Sequence, residues 1–121
     1  ITPEVFDYLK KHKINFEYQP VLRSHTGGIR IVDFVIHSLG KKEVIIEVTK
    51  TMNPNIKNVK RLVQRLNERF DLLKDFYIKE AKFVGIVNFN GFYDNFLKMN
   101  LECRGIVIDI DNMGELNKIL K

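Results

Sequence analysis

Tryptophan is absent from this chain of 121 residues, cysteine occurs once and proline three times. The lone Cys103 excludes an internal disulfide framework and fits a reducing, intracellular (cytoplasmic) setting. His12, His37 and Cys103 are not spaced as ligands of one zinc ion. No apolar run approaches the roughly 20 residues that cross a bilayer, and no signal-peptide pattern opens the chain, so no membrane role is expected. Repeats and low-complexity segments are missing too. Acidic residues are the scarcer charge, 15 against 20 basic, and the net charge of +5 points mildly toward a polyanionic partner. The length suits a single domain, residues 1–121, with a core of its own. Because the chain begins at Ile1 instead of Met, two readings are open, a processed product or a piece of a longer protein in which a missing fused module carries the specificity.

Thr2-Pro3-Glu4 reads as a helix start: Thr2 as N-cap, proline in the first turn and Glu4 against the positive end of the dipole. Val5, Phe6 and Leu9 supply its apolar side. Residues 15–23 and 29–37 read as two strands joined through Ser24-His25-Thr26-Gly27-Gly28, whose paired glycines permit a hairpin turn. After a second turn at 38–42, a third strand spans 43–49. The second and third strands carry apolar residues on both faces, the mark of strands covered on two sides. Asn53-Pro54 starts the longest helix, in which Ile56, Val59, Leu62, Val63, Leu66, Phe70 and Leu73 recur at spacings of three and four. Lys57, Lys60, Arg61, Arg65 and Arg69 lie mostly off that stripe. A strand at 81–88, a short helix around 93–99, a strand at 105–110 and a final helix behind a capping box at Asn112-Met113-Gly114-Glu115 complete the chain. The order predicts an α/β fold, a mixed central sheet with an antiparallel meander and helices on both faces.

The unusual residues are Asp33 and Glu47. Each is a carboxylate inside a β-branched, aliphatic run, where an unpaired charge is costly to bury. One of them alone could be solvated or paired with Arg30 or Lys50. Two on adjacent strands imply a positive charge between them, and a divalent metal ion is the expected one.

An Asp on the second strand and a Glu in the middle of the third, in this element order, resemble the core of the PD-(D/E)XK nuclease superfamily, the restriction-endonuclease-like fold that archaeal resolvases share. The resemblance covers residues 2–88 as an αβββαβ core, leaving a C-terminal αβα extension. It implies Asp33 and Glu47 as metal ligands, with the backbone carbonyl of Val48 as a third and Glu4 as an additional acidic residue. Mg2+ (or Mn2+) is the implied cofactor and DNA the implied partner. Lys57, Lys60, Arg61, Gln64 and Arg65 fall where relatives support the site and touch DNA. The motif's lysine belongs two residues after the Glu, where this chain has Thr49, with Lys50 following. Three readings stay open: a bulge after Val48 that re-aims Lys50, a lysine from the next helix (Lys57 or Lys60), or a site without the lysine. The resemblance thus implies a metal-dependent endonuclease that hydrolyses DNA phosphodiester bonds, with Asp33, Glu47, Lys50 and Thr49 at the catalytic site. The alternative is an inactive nucleic-acid-binding or assembly module on the same fold. A homodimer is expected of an enzyme that cuts two strands.

Overall fold

The computed structural model describes residues 1–24, 26–37, 42–51, 53–76 and 81–120. His25 and most of the 38–42 turn therefore lie outside the described residues. Helix α1 (Thr2–Lys11) precedes two short strands, β1 (Phe16–Tyr18) and β2 (Val21–Arg23), then β3 (Ile29–Ile31) and β4 (Phe34–Ile36). Strand β5 (Val44–Lys50) leads into the long helix α2 (Ile56–Leu73), followed by β6 (Lys82–Asn88), α3 (Tyr93–Met99), β7 (Ile106–Asp109) and α4 (Gly114–Leu120). The main sheet runs β1-β4-β5-β6-β7, and β2 and β3 form a separate two-stranded ribbon. Pairing is antiparallel from β1 through β5 and parallel from β5 through β7.

Alternation along the strands divides the core into two layers. Val35, Ile45 and Val87 face α2 and α3, packing on Val59, Val63, Leu66, Phe70 and Phe96. Phe34, Ile36, Val44 and Ile46 face α1 and α4, packing on Val5, Leu9 and Leu116. Helices on both faces of a mixed sheet are what the order of elements predicted. No helix among the described residues is long and apolar enough to cross a membrane.

Four expectations need correction. The strands predicted at 15–23 and 29–37 are each broken in two at the same level. On one arm Gln19 adopts a left-handed conformation (φ 49°) ahead of Pro20, which has no N–H to donate, and the Gln19 N–H donates to the Asp33 carbonyl on the other arm. Beyond that point β3 leaves the sheet, so Ile29 and Ile31 are exposed instead of covered on two sides. Thr2 lies inside α1, because the first helical bond already closes from Val5 onto Ile1. The cap of α2 is Asn55, whose Oδ1 accepts from the Asn58 N–H at 2.9 Å, two residues past the predicted Asn53. The capping box before α4 is replaced by a 3-10 turn, Ile110–Asn112, where Asp109 Oδ1 accepts from the Asp111 N–H at 3.0 Å.

Candidate functional site at the strand fork

The β4–β5 ladder ends at the pair Phe34↔Ile46. On the next residues the strands part: β3 follows β2 away while β5 continues beside β6. Asp33 and Glu47 stand at this fork. Asp33 Oδ2 accepts a hydrogen bond from the Val48 N–H at 2.7 Å, so a side chain replaces the ladder bond that the divergence removes. In an extended strand the N–H and C=O of one residue point the same way, so the Val48 carbonyl also faces the fork.

Glu47 is one of two buried charged residues among those described, only 5% exposed. Its neighbour in β6 is Gly85, and Leu66 of α2 packs so closely on that glycine that a Cβ there would meet Leu66 Cδ1 at 3.0 Å. The Glu47 side chain lines the groove at the fork. Burial raises its pKa from 4.5 to about 8, helped by the negative charge of Asp33 and by a hydrogen bond between the two carboxyls. Arg69 of α2 opposes the shift, its Nη1 lying 3.4 Å from Glu47 Oε2. A carboxyl with that pKa favours its protonated form at neutral pH, and the Arg69 guanidinium stands at its border. A cation can take that proton's place, because two carboxylates and a backbone carbonyl form a hard oxygen donor set. Among the described residues no group of three or more His, Cys, Asp or Glu side chains is placed to hold a metal, so the acidic set stops at this pair.

The fork opens into a groove of about 610 Å³, lined by β3, Asp33, Glu47, Val48 and the last turns of α2 at Arg69, Leu72 and Leu73. Other residues singled out in the sequence fall in different places. Glu4 is exposed on α1, in the opposite layer, and does not line the groove. Thr49 shares the face of Glu47, one strand period on. The bulge after Val48 is not present: β5 pairs with β6 in unbroken register from Val44↔Lys82 to Lys50↔Asn88, leaving Lys50 exposed on the opposite face from Glu47.

The basic residues of α2 divide into two flanks. With about 3.6 residues per turn, Arg65 lies about 40° and Arg61 about 80° round the helix from Arg69, turned progressively outward, and of the three Arg69 lines the groove. Lys60 and Gln64 line a shallow depression on the other flank with Asn67, Asp71 and Arg104. Lys57 is exposed on the outward face. Arg69 is the site residue that residue type alone did not single out. The available signal is its angle on the helix, nearer the apolar stripe than any other cation of α2.

Elsewhere, polar groups have structural partners. Asp109 caps the 3-10 turn and accepts from the Phe89 N–H, and Tyr93 donates to the Val107 carbonyl at 2.8 Å. Phe89 and Phe96 are core. Cys103 is half-buried, its thiol pKa raised by burial, which is the opposite of an activated nucleophile. Neither protein-family models nor curated proteins give a match to this sequence.

Proposed function

We propose that the fork is the active site of a metal-dependent nuclease of the PD-(D/E)XK type acting on DNA. The observation that carries this reading is the Asp33–Glu47 pair at an open groove, the glutamate buried and the aspartate part-buried, where a cation between the carboxyls relieves their repulsion. The topology supports it: a meander β1-β4-β5 with β6 parallel to β5, α1 on one face and α2 on the other, follows the order expected of that core.

In this reading Asp33, Glu47 and the Val48 carbonyl hold Mg2+ or Mn2+. Bound there, the ion supplies a more acidic water and a positive charge for the phosphate oxygens. The chain's own residues do the rest. Asp33 keeps the fork at fixed width through Val48. Glu47, relieved of its proton, accepts from the attacking water. In this reading Arg69 takes the part of the missing lysine, a half-exposed cation beside the carboxylate that lines the groove. Arg61 and Arg65 then meet the phosphates flanking the cut.

The second reading, a binding module without catalysis, has one observation in its favour: no lysine shares the Glu47 face of β5. Cleavage of a labelled panel (single-stranded, duplex and four-way-junction DNA) with Mg2+ or Mn2+ decides between them. Cutting that disappears in Asp33→Asn and in Glu47→Gln supports the nuclease. Salt-sensitive binding without cutting by the intact protein supports the module.

A further inference from the structure

The break between β3 and β4 reverses which residues of the chain face α2. Val35 packs in the layer under that helix, and so does Val32, three residues earlier. Strict alternation from Val35 would turn Ile31 and Ile29 toward α2, whereas the slip of one residue at the bend turns Val32 and Arg30 there instead. The surroundings of Arg30 agree. Leu22, its partner across the ribbon, packs against the α2 layer, and a Cβ on Gly28 would lie 3.6 Å from Phe76, just past the end of that helix. Arg30 is thus the one charged residue that β2 and β3 turn inward. Ile29 and Ile31, 57% and 64% exposed, face out beside Val21 and Arg23. For stability alone this is the wrong way round, with two isoleucines in water and an arginine toward the core. Conflicts of that kind mark functional positions.

Arg30 lines the groove on the ribbon wall, Arg69 lines it on the helix wall, and Asp33 and Glu47 stand at the fork. The two cations are not equivalent. Arg69 is paired with Glu47 at 3.4 Å. Arg30 is exposed and forms no ion pair with a described residue, although Asp33 is only three positions along the chain, its Oδ2 accepting from Val48 instead. A guanidinium that faces a groove without an anion is a docking point for one from outside, and its planar fork matches two oxygens of a phosphate. With both acids ionised, the two arginines cancel them, so the charge of a bound divalent ion is left for phosphates to balance. Building on the nuclease reading above, we propose that Arg30 is a substrate-binding residue, holding a backbone phosphate of the nucleic acid from the ribbon wall, opposite Arg69. The ligand is the phosphodiester backbone, so this contact carries no base preference. Ribbon and helix then grip the substrate from two sides and centre it over the fork.

The test is fluorescence anisotropy with a labelled mixed-sequence DNA oligonucleotide, alone and annealed to its complement, with Ca2+ in place of Mg2+ so that binding is read without turnover. Arg30→Gln is compared with Arg23→Gln, which removes the same charge from the outer face of the same ribbon; both positions are exposed. Arg30→Gln is expected to weaken binding of the preferred form about tenfold or more and to lower the salt slope by about 0.7–0.9, the share of one phosphate contact. Arg23→Gln should stay within about twofold, the loss of general attraction to a polyanion. Arg30→Lys, a charge without the planar fork, should keep the salt slope and recover part of the affinity. A loss in Arg30→Gln no larger than that in Arg23→Gln overturns the proposal, because Arg30 is then an ordinary solvated cation. Where cutting with Mg2+ still disappears in Asp33→Asn and Glu47→Gln, the nuclease reading survives that result. Absence of binding to either form by the parent overturns this proposal and the nucleic-acid reading together.

Discussion

Glu47→Gln should stabilise the protein, and by an amount set by pH. The neutral amide resembles the protonated acid in shape, so at about pH 5, where folded Glu47 keeps its proton, the two proteins should differ little. The folded carboxyl titrates at about 8 and the unfolded one near 4.5. A raised folded pKa means that the native state holds the proton more tightly than the unfolded chain. The stabilisation is therefore complete below 4.5 and is lost as pH rises through 8. At about 1.4 kcal/mol per pH unit between those limits, the parent loses on the order of 3–4 kcal/mol by pH 9, and the variant does not. For a domain of this size that is a gap in Tm of roughly 10 °C or more. The assay is thermal unfolding of both proteins by circular dichroism at matched ionic strength from pH 5 to 9.5. Taking the difference cancels the titrating groups that do not interact with Glu47. A difference that is flat with pH, or a variant less stable than the parent at pH 9, would refute the idea that a buried proton sits on this carboxyl. Adding Mg2+ at pH 8 should raise the parent's Tm and release a proton to the medium, and should do neither in Glu47→Gln.

Asp33→Ala removes the acceptor of the Val48 N–H and should lower stability by about 1–2 kcal/mol in urea titration, since groove water can replace part of the bond; Asp33→Asn, which keeps an acceptor oxygen, should lose less. Arg69→Gln removes the one charge that draws the Glu47 proton off, so the midpoint of the pH-dependent stability gap should move upward, and cleavage, where present, should fall by about 10²-fold or more in a single-turnover assay. Gly105→Ala places a Cβ at 2.6 Å from the Phe83 carbonyl oxygen and 2.9 Å from Phe70, backbone and core that have nowhere to go, so a loss of about 1–3 kcal/mol in denaturant unfolding is expected. Gly85→Ala should lose less, because its close neighbour is the mobile end of Leu66.

The carboxylates were legible in the sequence because a charge amid Ile, Val and Phe contradicts its surroundings, and that contradiction survives any error in strand boundaries. The two-layer sheet was legible for a similar reason: α2 repeats its apolar residues over 18 positions, too long for chance to imitate. The fork was not. It depends on a left-handed Gln19, a conformation that residue type does not announce, and on the proline beside it, which reads equally as an edge or a bulge. The exposed ribbon looked like a buried strand because Ile29 and Ile31 have the composition of one. Arg69 was hidden among five similar cations, since distance from a helix to a neighbouring strand is set by packing and not by charge. The register of β5 could not be read either, because a bulge and a regular strand are written with the same residues.

The hydrogen bond from Val48 to Asp33 makes the two acids unequal before any evolutionary pressure. Asp33 is needed for the shape of the sheet whether or not a phosphate is ever cut, whereas Glu47 only burdens a fold that has no cation to bind. If the proposed nuclease reading holds, a lineage released from catalysis would gain stability by trading Glu47 for an amide or an aliphatic residue, and would lose stability on losing Asp33. Decay should therefore run in one direction, with the strand glutamate eroding first and the aspartate remaining as a fossil of the site.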